Sequence, residues 1–260
     1  MVASGPELKS AEGSIKLRDM ALDTLAYRDE LRPQLPRWYR GWPHFVFTNL
    51  LLGGITLALL LRVHAPRALD LLAIPAAFLA SNLVEYIAHR YPLHRPLGPF
   101  RYIYKAHGIR HHRFFTGDTP EHMTTDRPFD FAVVLFGPQS QLAMLGGVGF
   151  PLTWLTGRLA GHDAAMLFGA TATAYFLVYE WLHLLYHLPS SHPLTRLPGL
   201  ARLQNHHRLH HEPRLMSKWN FNITFPIFDH VLGTNFHEEV TSHQPPAASH
   251  QPGGPEIESR

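Results

Sequence analysis

The sequence predicts an all-α integral membrane protein. The architecture expected is a four-helix bundle crossing the bilayer, closed on its cytoplasmic side by a histidine-rich helical cap. Three observations carry this reading. Four apolar blocks each come close to the about 20 residues that a helix needs to cross a bilayer. The positive charges crowd into alternate connections between those blocks. The chain also holds 20 histidines in 260 residues, and most of them fall in spaced clusters.

The first block, "HFVFTNLLLGGITLALLLRV" (44–63), has no charged residue before Arg62. The second, "ALDLLAIPAAFLASNLVEYIAH" (68–89), carries only Asp70 and Glu85, near its ends. The third, "FAVVLFGPQSQLAMLGGVGFPLTWLTG" (131–157), is uncharged but interrupted by Pro138 and Pro151. The fourth, "AAMLFGATATAYFLVYEWLHLLYH" (164–187), is apolar up to Glu180. A soluble bundle would lack the polar surface to cover four such blocks. Of the 23 Lys and Arg residues, only Arg62, Arg67 and Arg158 lie in the connections after the first block and after the third. The rest precede the first block, separate the second from the third, or follow the fourth. The positive-inside rule therefore predicts a multi-pass protein with both termini and the long middle loop in the cytoplasm. The basic balance is a topology signal that favours anionic lipid headgroups as neighbours, and no nucleic-acid partner is expected.

Residues 1–43 form a polar, basic N-terminal segment without the early apolar core of a cleavable signal peptide. Within it Leu17, Met20, Ala21 and Leu25 are spaced as on an amphipathic interfacial helix, and Trp38, Tyr39 and Trp42 suit the membrane boundary. Residues 44–239 make the membrane-embedded domain. The Pro/Ser/Gly-rich stretch 240–260 is expected to be disordered. Cysteine is absent, which excludes thiolate metal sites, iron–sulfur clusters and disulfides.

The histidine clusters have the rhythm of metal ligands. His89 and His94 close the second block. His107, His111 and His112 follow in "HGIRHH". His183 and His187 end the fourth block, and "NHHRLHH" carries His206, His207, His210 and His211. His183 and His187 are one helical turn apart, as are His107 and His111, and His207 and His210 sit three apart, so each pair shares a helix face. In each His-His doublet the second ring points about 100° away and can reach a neighbouring ion. Pro92 disfavours helix at Tyr91, which places His94 just beyond the helix end, folded back. All four clusters fall at one membrane face in the topology set by Lys and Arg alone. So many imidazoles exceed a single ion's shell and suit two ions; imidazole accepts iron, zinc, copper or nickel. Glu85 and Glu180, each about one turn before a ligand, either support those ligands or simply snorkel at the interface. Each span's centre is free of ionisable groups, which disfavours a metal transporter, and no HExxH zinc-protease motif occurs.

The pattern HxxxxH, HxxxHH, HxxxH, HHxxHH resembles that of the fatty acid hydroxylase/sterol desaturase superfamily of membrane-bound di-iron enzymes, over roughly residues 44–236 and including "NFNITFPIFDHVLGT" (220–234). The resemblance implies the metal ligands His89, His94, His107, His111, His112, His183, His187, His207, His210 and His211, with His206 as a possible extra ligand. The HxxxH of the fourth block is similar to the hydroxylase branch rather than to acyl-lipid or acyl-CoA desaturases. It implies two Fe ions, O₂ as co-substrate, and hydroxylation of an unactivated C–H bond of a lipid: an acyl chain, polar lipid, sterol or related isoprenoid. Desaturation on the same scaffold, or metal binding without catalysis, remain the alternative readings. An external ferredoxin or cytochrome b5-type donor with its reductase would deliver electrons. The basic residues Arg101, Lys105, Arg110, Arg113, Arg202 and Arg208 either steer that donor or anchor the cytoplasmic face. Asn220, Asn222 and Asp229 either support the last cluster or form turns.

Overall fold

A computed structural model describes residues 23–36, 39 and 41–237. The expected disordered stretch 240–260, Trp38 and most of the expected interfacial helix lie outside the described residues. Among the described residues every regular element is helical.

The N-terminal helix α1 covers residues 23–31. Its inward face is Thr24, Arg28 and Leu31, whereas Leu25 is about half exposed. The apolar spacing expected of Leu25 therefore does not set the buried face: a buried guanidinium does. Helix α2, Trp42–Leu60, starts behind Gly41. Gly41 has φ +77°, and a Cβ there would stand 1.8 Å from the Pro128 carbonyl oxygen, so only glycine fits. Helix α3 is Ala73–Ala88. It continues as a π-helical turn, His89–Leu93, that contains Pro92. The chain thus does not leave the helix before Pro92. It widens instead, which accommodates the missing proline N–H, and His94 caps the turn.

Helix α4 is Arg101–Tyr104, carried on as a π-helical stretch, Lys105–His111, and a last α turn, His112–Phe114. Helix α5 begins at Pro138, loosens into a π turn at Leu145–Gly149 and resumes as Phe150–Ala160, with Pro151 in its first turn. Pro138 sits in the first turn, where a helix has no amide to lose, and Pro151 follows closely on the widened π turn. Helix α6 is His162–Tyr186, 25 residues. Helices α7, Leu200–His210, and α8, Ile227–Val231, follow.

Helix α6 is central: α2, α3 and α5 all pack on it. Three segments are long and apolar enough to cross a membrane: Trp42–Leu60, Ala68–Leu93 and Pro128–Ala160. The fourth expected span, α6, has the length but is less apolar. About half of its residues are buried against protein, including Thr173, Tyr175, Tyr179, Glu180 and His183. A helix surrounded by other helices can carry polar groups that a lipid-facing one cannot.

The four long helices alternate in direction, so their ends form two tiers. At one end Asp163 of α6 accepts the His64 and Ala65 amides, and Arg67 bonds Asp70 and the Ala160 carbonyl. At the other end lie all four histidine clusters. There Gly117 seats the C-terminus of α7. Its amide donates to the His211 carbonyl at 3.1 Å, and a Cβ would stand 2.1 Å from the Arg208 carbonyl oxygen. We predict that Gly117→Ala lowers stability by about 1–3 kcal/mol through overpacking. Gly54→Ala in α2, where nothing lies within 4 Å, should be close to neutral. Thermal unfolding of both variants in detergent checks this; equal midpoints would contradict it.

Candidate metal centre

Four helices with their π-helical extensions, α3, α4, α6 and α7, deliver ten imidazoles to one buried volume. The histidines form two groups, His89, His94, His107, His112 and His210, and His111, His183, His187, His207 and His211. Within each group one nitrogen per ring lies within 4.8 Å of all the others. These are the ten residues that the resemblance singles out. The doublets divide as their 100° offset requires: His111 and His112 enter different groups, as do His210 and His211. The groups touch through near-parallel rings, His107 on His111 (4.9 Å) and His112 on His211 (4.1 Å).

Two pairings differ from the spacing argument. His107 and His111 do not share a group, because Lys105–His111 is π-helical and four residues no longer complete a turn. His207 joins His211 rather than His210. Both spacings keep rings near one face, and the ring four residues on lies about 40° round the helix while that three on lies about 60° the other way.

Backbone carbonyls fix how the rings point. His89 Nδ1–H donates to Phe221 O (2.6 Å), His111 to Val133 O (2.7 Å) and His187 to Met123 O (2.8 Å). His210 donates to Trp219 O (3.0 Å) and His211 to Phe115 O (2.6 Å). A carbonyl can only accept, so Nδ1 carries the proton in all five rings and Nε2 presents a lone pair. Those Nε2 atoms face other imidazole nitrogens: His89 to His107 (3.0 Å), His210 to His94 (3.0 Å), His111 to His183 (3.1 Å) and His187 to His207 (3.2 Å). Burial pushes His111 down to about 3 and holds His94, His107, His112, His207, His210 and His211 well below the usual imidazole range. The rings are thus neutral near pH 7. The buried His211 Nε2, His112 Nδ1, His183 Nδ1 and His207 Nδ1 have no hydrogen-bond partner. Two nitrogens bound to one ion at about 2.1 Å and at right angles stand about 3.0 Å apart. Five Nε2 lone pairs aimed among clustered imidazole nitrogens, that of His211 without a partner, fit a cation at each group.

The other expected site residues stand behind the rings. Glu85 touches no histidine of either group. Its carboxylate accepts the Ile223 and Thr224 amides (2.6 and 3.0 Å) and the Tyr175 and Thr224 hydroxyls (both 2.5 Å). Asp229 accepts the Phe221 and Asn222 amides (3.0 and 2.7 Å) and the Thr234 hydroxyl. Asn222 donates to Asn82 O, and Asn220, at φ +59°, brackets Phe236 and bonds His206 O. Together they clamp the buried segment 220–224, whose Phe221 carbonyl orients His89. Glu180 accepts the Phe136 amide and Gln141 Nε2, on the opposite side of α6. His206 belongs to neither group: its Nε2 bonds Asn222 O at 3.1 Å. His122 also lies outside both groups, yet it is buried with Nδ1 on the Asp118 carboxylate. The orienting carbonyls, and Asn82, Tyr175 and Thr224, were not singled out from sequence. Any residue type supplies a carbonyl, so no sequence signal marks one.

An apolar cleft opens beside the first group, between α3, α5 and α6, and encloses about 890 Å³ with its mouth included. His89 and Leu93 stand at one end, Leu152 and Phe168 at the other. Of the ten histidines only His89 lines it. From Phe168 to Tyr179 the wall runs eleven residues of α6, about 16 Å at 1.5 Å per residue.

The comparisons agree with this geometry. A solved structure described as full-length Scs7p with only its hydroxylase domain visible is similar in fold, with a TM-score of 0.53 and 18% identity, over 76% of this chain and 67% of that one. Among curated proteins none matches. The family model described as fatty acid hydroxylase matches residues 74–234, a stretch that holds all ten grouped histidines. With its three membrane-length apolar helices, the chain is a membrane protein and belongs to the fatty acid hydroxylase family.

Proposed function

We propose that the protein hydroxylates an unactivated C–H bond of a lipid, using O₂ at a dinuclear iron centre held by the two histidine groups. The observation that carries this is the pair of five-imidazole groups opening, through His89, onto an apolar cleft. Iron bound there would supply the activation of O₂ that no side chain can provide. His89, His94, His107, His112 and His210 would hold one ion, and His111, His183, His187, His207 and His211 the other.

The remaining residues bind, orient and exclude water. The cleft is lined almost wholly by apolar side chains, which suits an acyl or isoprenoid chain. Ala80, Ala88 and Ala172 leave room along its walls. Glu85, Tyr175 and Thr224 close the wall beside His89 with a mutually bonded set. A fixed chain beside a fixed ligand shell converts a difficult encounter into a positioned one. α6 serves as a fourth crossing, which places the centre at the cytoplasmic boundary. There a lipid can reach it from the bilayer and an external ferredoxin or cytochrome b5-type donor from the water. Asn220, Asn222, Asp229 and Glu85 keep the 220–224 segment, and hence His89, in register.

Lipid extracts from cells with and without the expressed protein test the reaction. A +16 mass shift on a lipid is expected, dependent on O₂; a −2 shift would indicate desaturation, and no shift would contradict the enzyme reading. Ala substitution of His111, His187 or His210 should reduce turnover at least about 100-fold and lower bound iron. His162→Ala, at the far tier, should change neither. Ala172→Trp should cut kcat/KM for long-chain lipids about tenfold or more while both ions stay bound; unchanged kinetics would remove the cleft as the substrate site. Sidedness is read in the Cys-free chain. An impermeant maleimide should label Ala65→Cys in intact cells and Ser191→Cys only after lysis, and the reverse pattern would invert the topology.

A further inference from the structure

We infer that Arg28, on the N-terminal helix, is a positioning residue for the second histidine group, so that a helix outside the family-matched residues governs retention of one of the two ions. The inference rests on the dinuclear reading above and adds a residue that neither the histidine pattern nor residues 74–234 contain.

Arg28 is 5% exposed, and no carboxylate among the described residues lies within ion-pair distance of it, although Asp130 and Asp118 attract it from further off. A buried guanidinium without an acid partner is costly and needs other compensation. Here the compensation is a set of carbonyls. Nε donates to Phe114 O at 2.7 Å, Nη1 to Thr124 O at 3.3 Å and Glu121 O at 3.4 Å, and Nη2 to His122 O. The guanidinium also lies over the Phe114 and Phe115 rings, 5.0 and 5.2 Å from their centroids.

Three of those four carbonyls neighbour one that orients a grouped histidine. Phe114 O precedes Phe115 O, the acceptor of His211 Nδ1–H. His122 O and Thr124 O flank Met123 O, the acceptor of His187 Nδ1–H. The Thr125 amide then donates back to the His187 carbonyl at 2.8 Å. The Phe115 ring packs on His187 with centroids 4.1 Å apart. One side chain therefore spans the two backbone segments that aim His187 and His211. Both belong to the second group. In the first group His89 and His210 are aimed by Phe221 and Trp219, which Arg28 does not touch. The effect of Arg28 is thus confined to one ion. Arg32, one turn on, also lies over the Phe114 ring, 5.4 Å from its centroid, and ties the same segment to Asp130, but it bonds none of the carbonyls from 114 or 121–124.

The test is release of ferrous iron to a chelator from the full chain in detergent, measured anaerobically. Wild type should release two ions slowly. Arg28→Gln should release one ion about 10–100-fold faster, the usual effect of removing an outer support, and leave the other unchanged. In a His94→Ala background, where only the second group is intact, Arg28→Gln should free the remaining ion. In a His207→Ala background it should alter nothing. Arg32→Gln should hold both ions as wild type does. If Arg28→Gln does not fold, Arg28→Lys, which keeps the charge but reaches fewer carbonyls, is read the same way. Wild-type release rates in the Arg28 variants, or equal acceleration in Arg32→Gln, would overturn the inference. A wild type that binds other than two ions would instead overturn the dinuclear reading.

Discussion

An imidazole whose Nδ1–H is committed to a carbonyl has only a lone pair left at Nε2. Five rings are committed in this way: four of them face a further imidazole nitrogen at 3.0–3.2 Å, and the fifth, His211, keeps an Nε2 without a partner. Burial removes the water that would otherwise meet these lone pairs, which leaves a facing imidazole N–H or a cation to do so. The rest of the structure serves this constraint. Helices α3, α4, α6 and α7 bring rings from distant parts of the chain. Five separate loop or helix-end carbonyls hold the rings in one tautomer. The arrangement is stable in proportion to what sits between the nitrogens, which is why a cation at each group is the natural reading.

The acids near the site answer a second constraint. Ten neutral imidazoles would leave the charge of two bound ions uncompensated, and no carboxylate enters either group. Glu85, Asp229 and Glu180 are all buried, and each is bonded to backbone amides rather than to a ring. They act on the ligands through geometry, by holding the 220–224 segment and the Phe136 turn.

Much of the site was legible in the sequence, because ligand spacing is a property of side chains. The four clusters, the division of each doublet and the two-group capacity all follow from helical periodicity. The exceptions arose where the helix is not α-helical. Widening at Lys105–His111 separates His107 from His111, and widening at His89–Leu93 carries the helix through Pro92. The fourth block read as a membrane span like the other three, but α6 is less apolar and its polar residues are buried against protein. Backbone acceptors such as Phe221 and Met123 left no trace in the sequence. Arg28 was read as one positive charge among several in the N-terminal segment, since nothing local shows that it is buried. His206 illustrates the limit of composition. It sits in the densest cluster, yet it turns to the Asn222 carbonyl because its position on α7 faces the 220–224 segment.

The central claim is that two ions are held almost wholly by imidazole. X-ray absorption at the iron edge, on protein loaded anaerobically with ferrous iron, addresses it most directly. The structure predicts two irons per chain, each with a nitrogen shell and the outer-shell scattering of about five imidazole rings, as the two groups of five require. A shell dominated by carboxylate oxygen, or a single iron per folded chain, would contradict it.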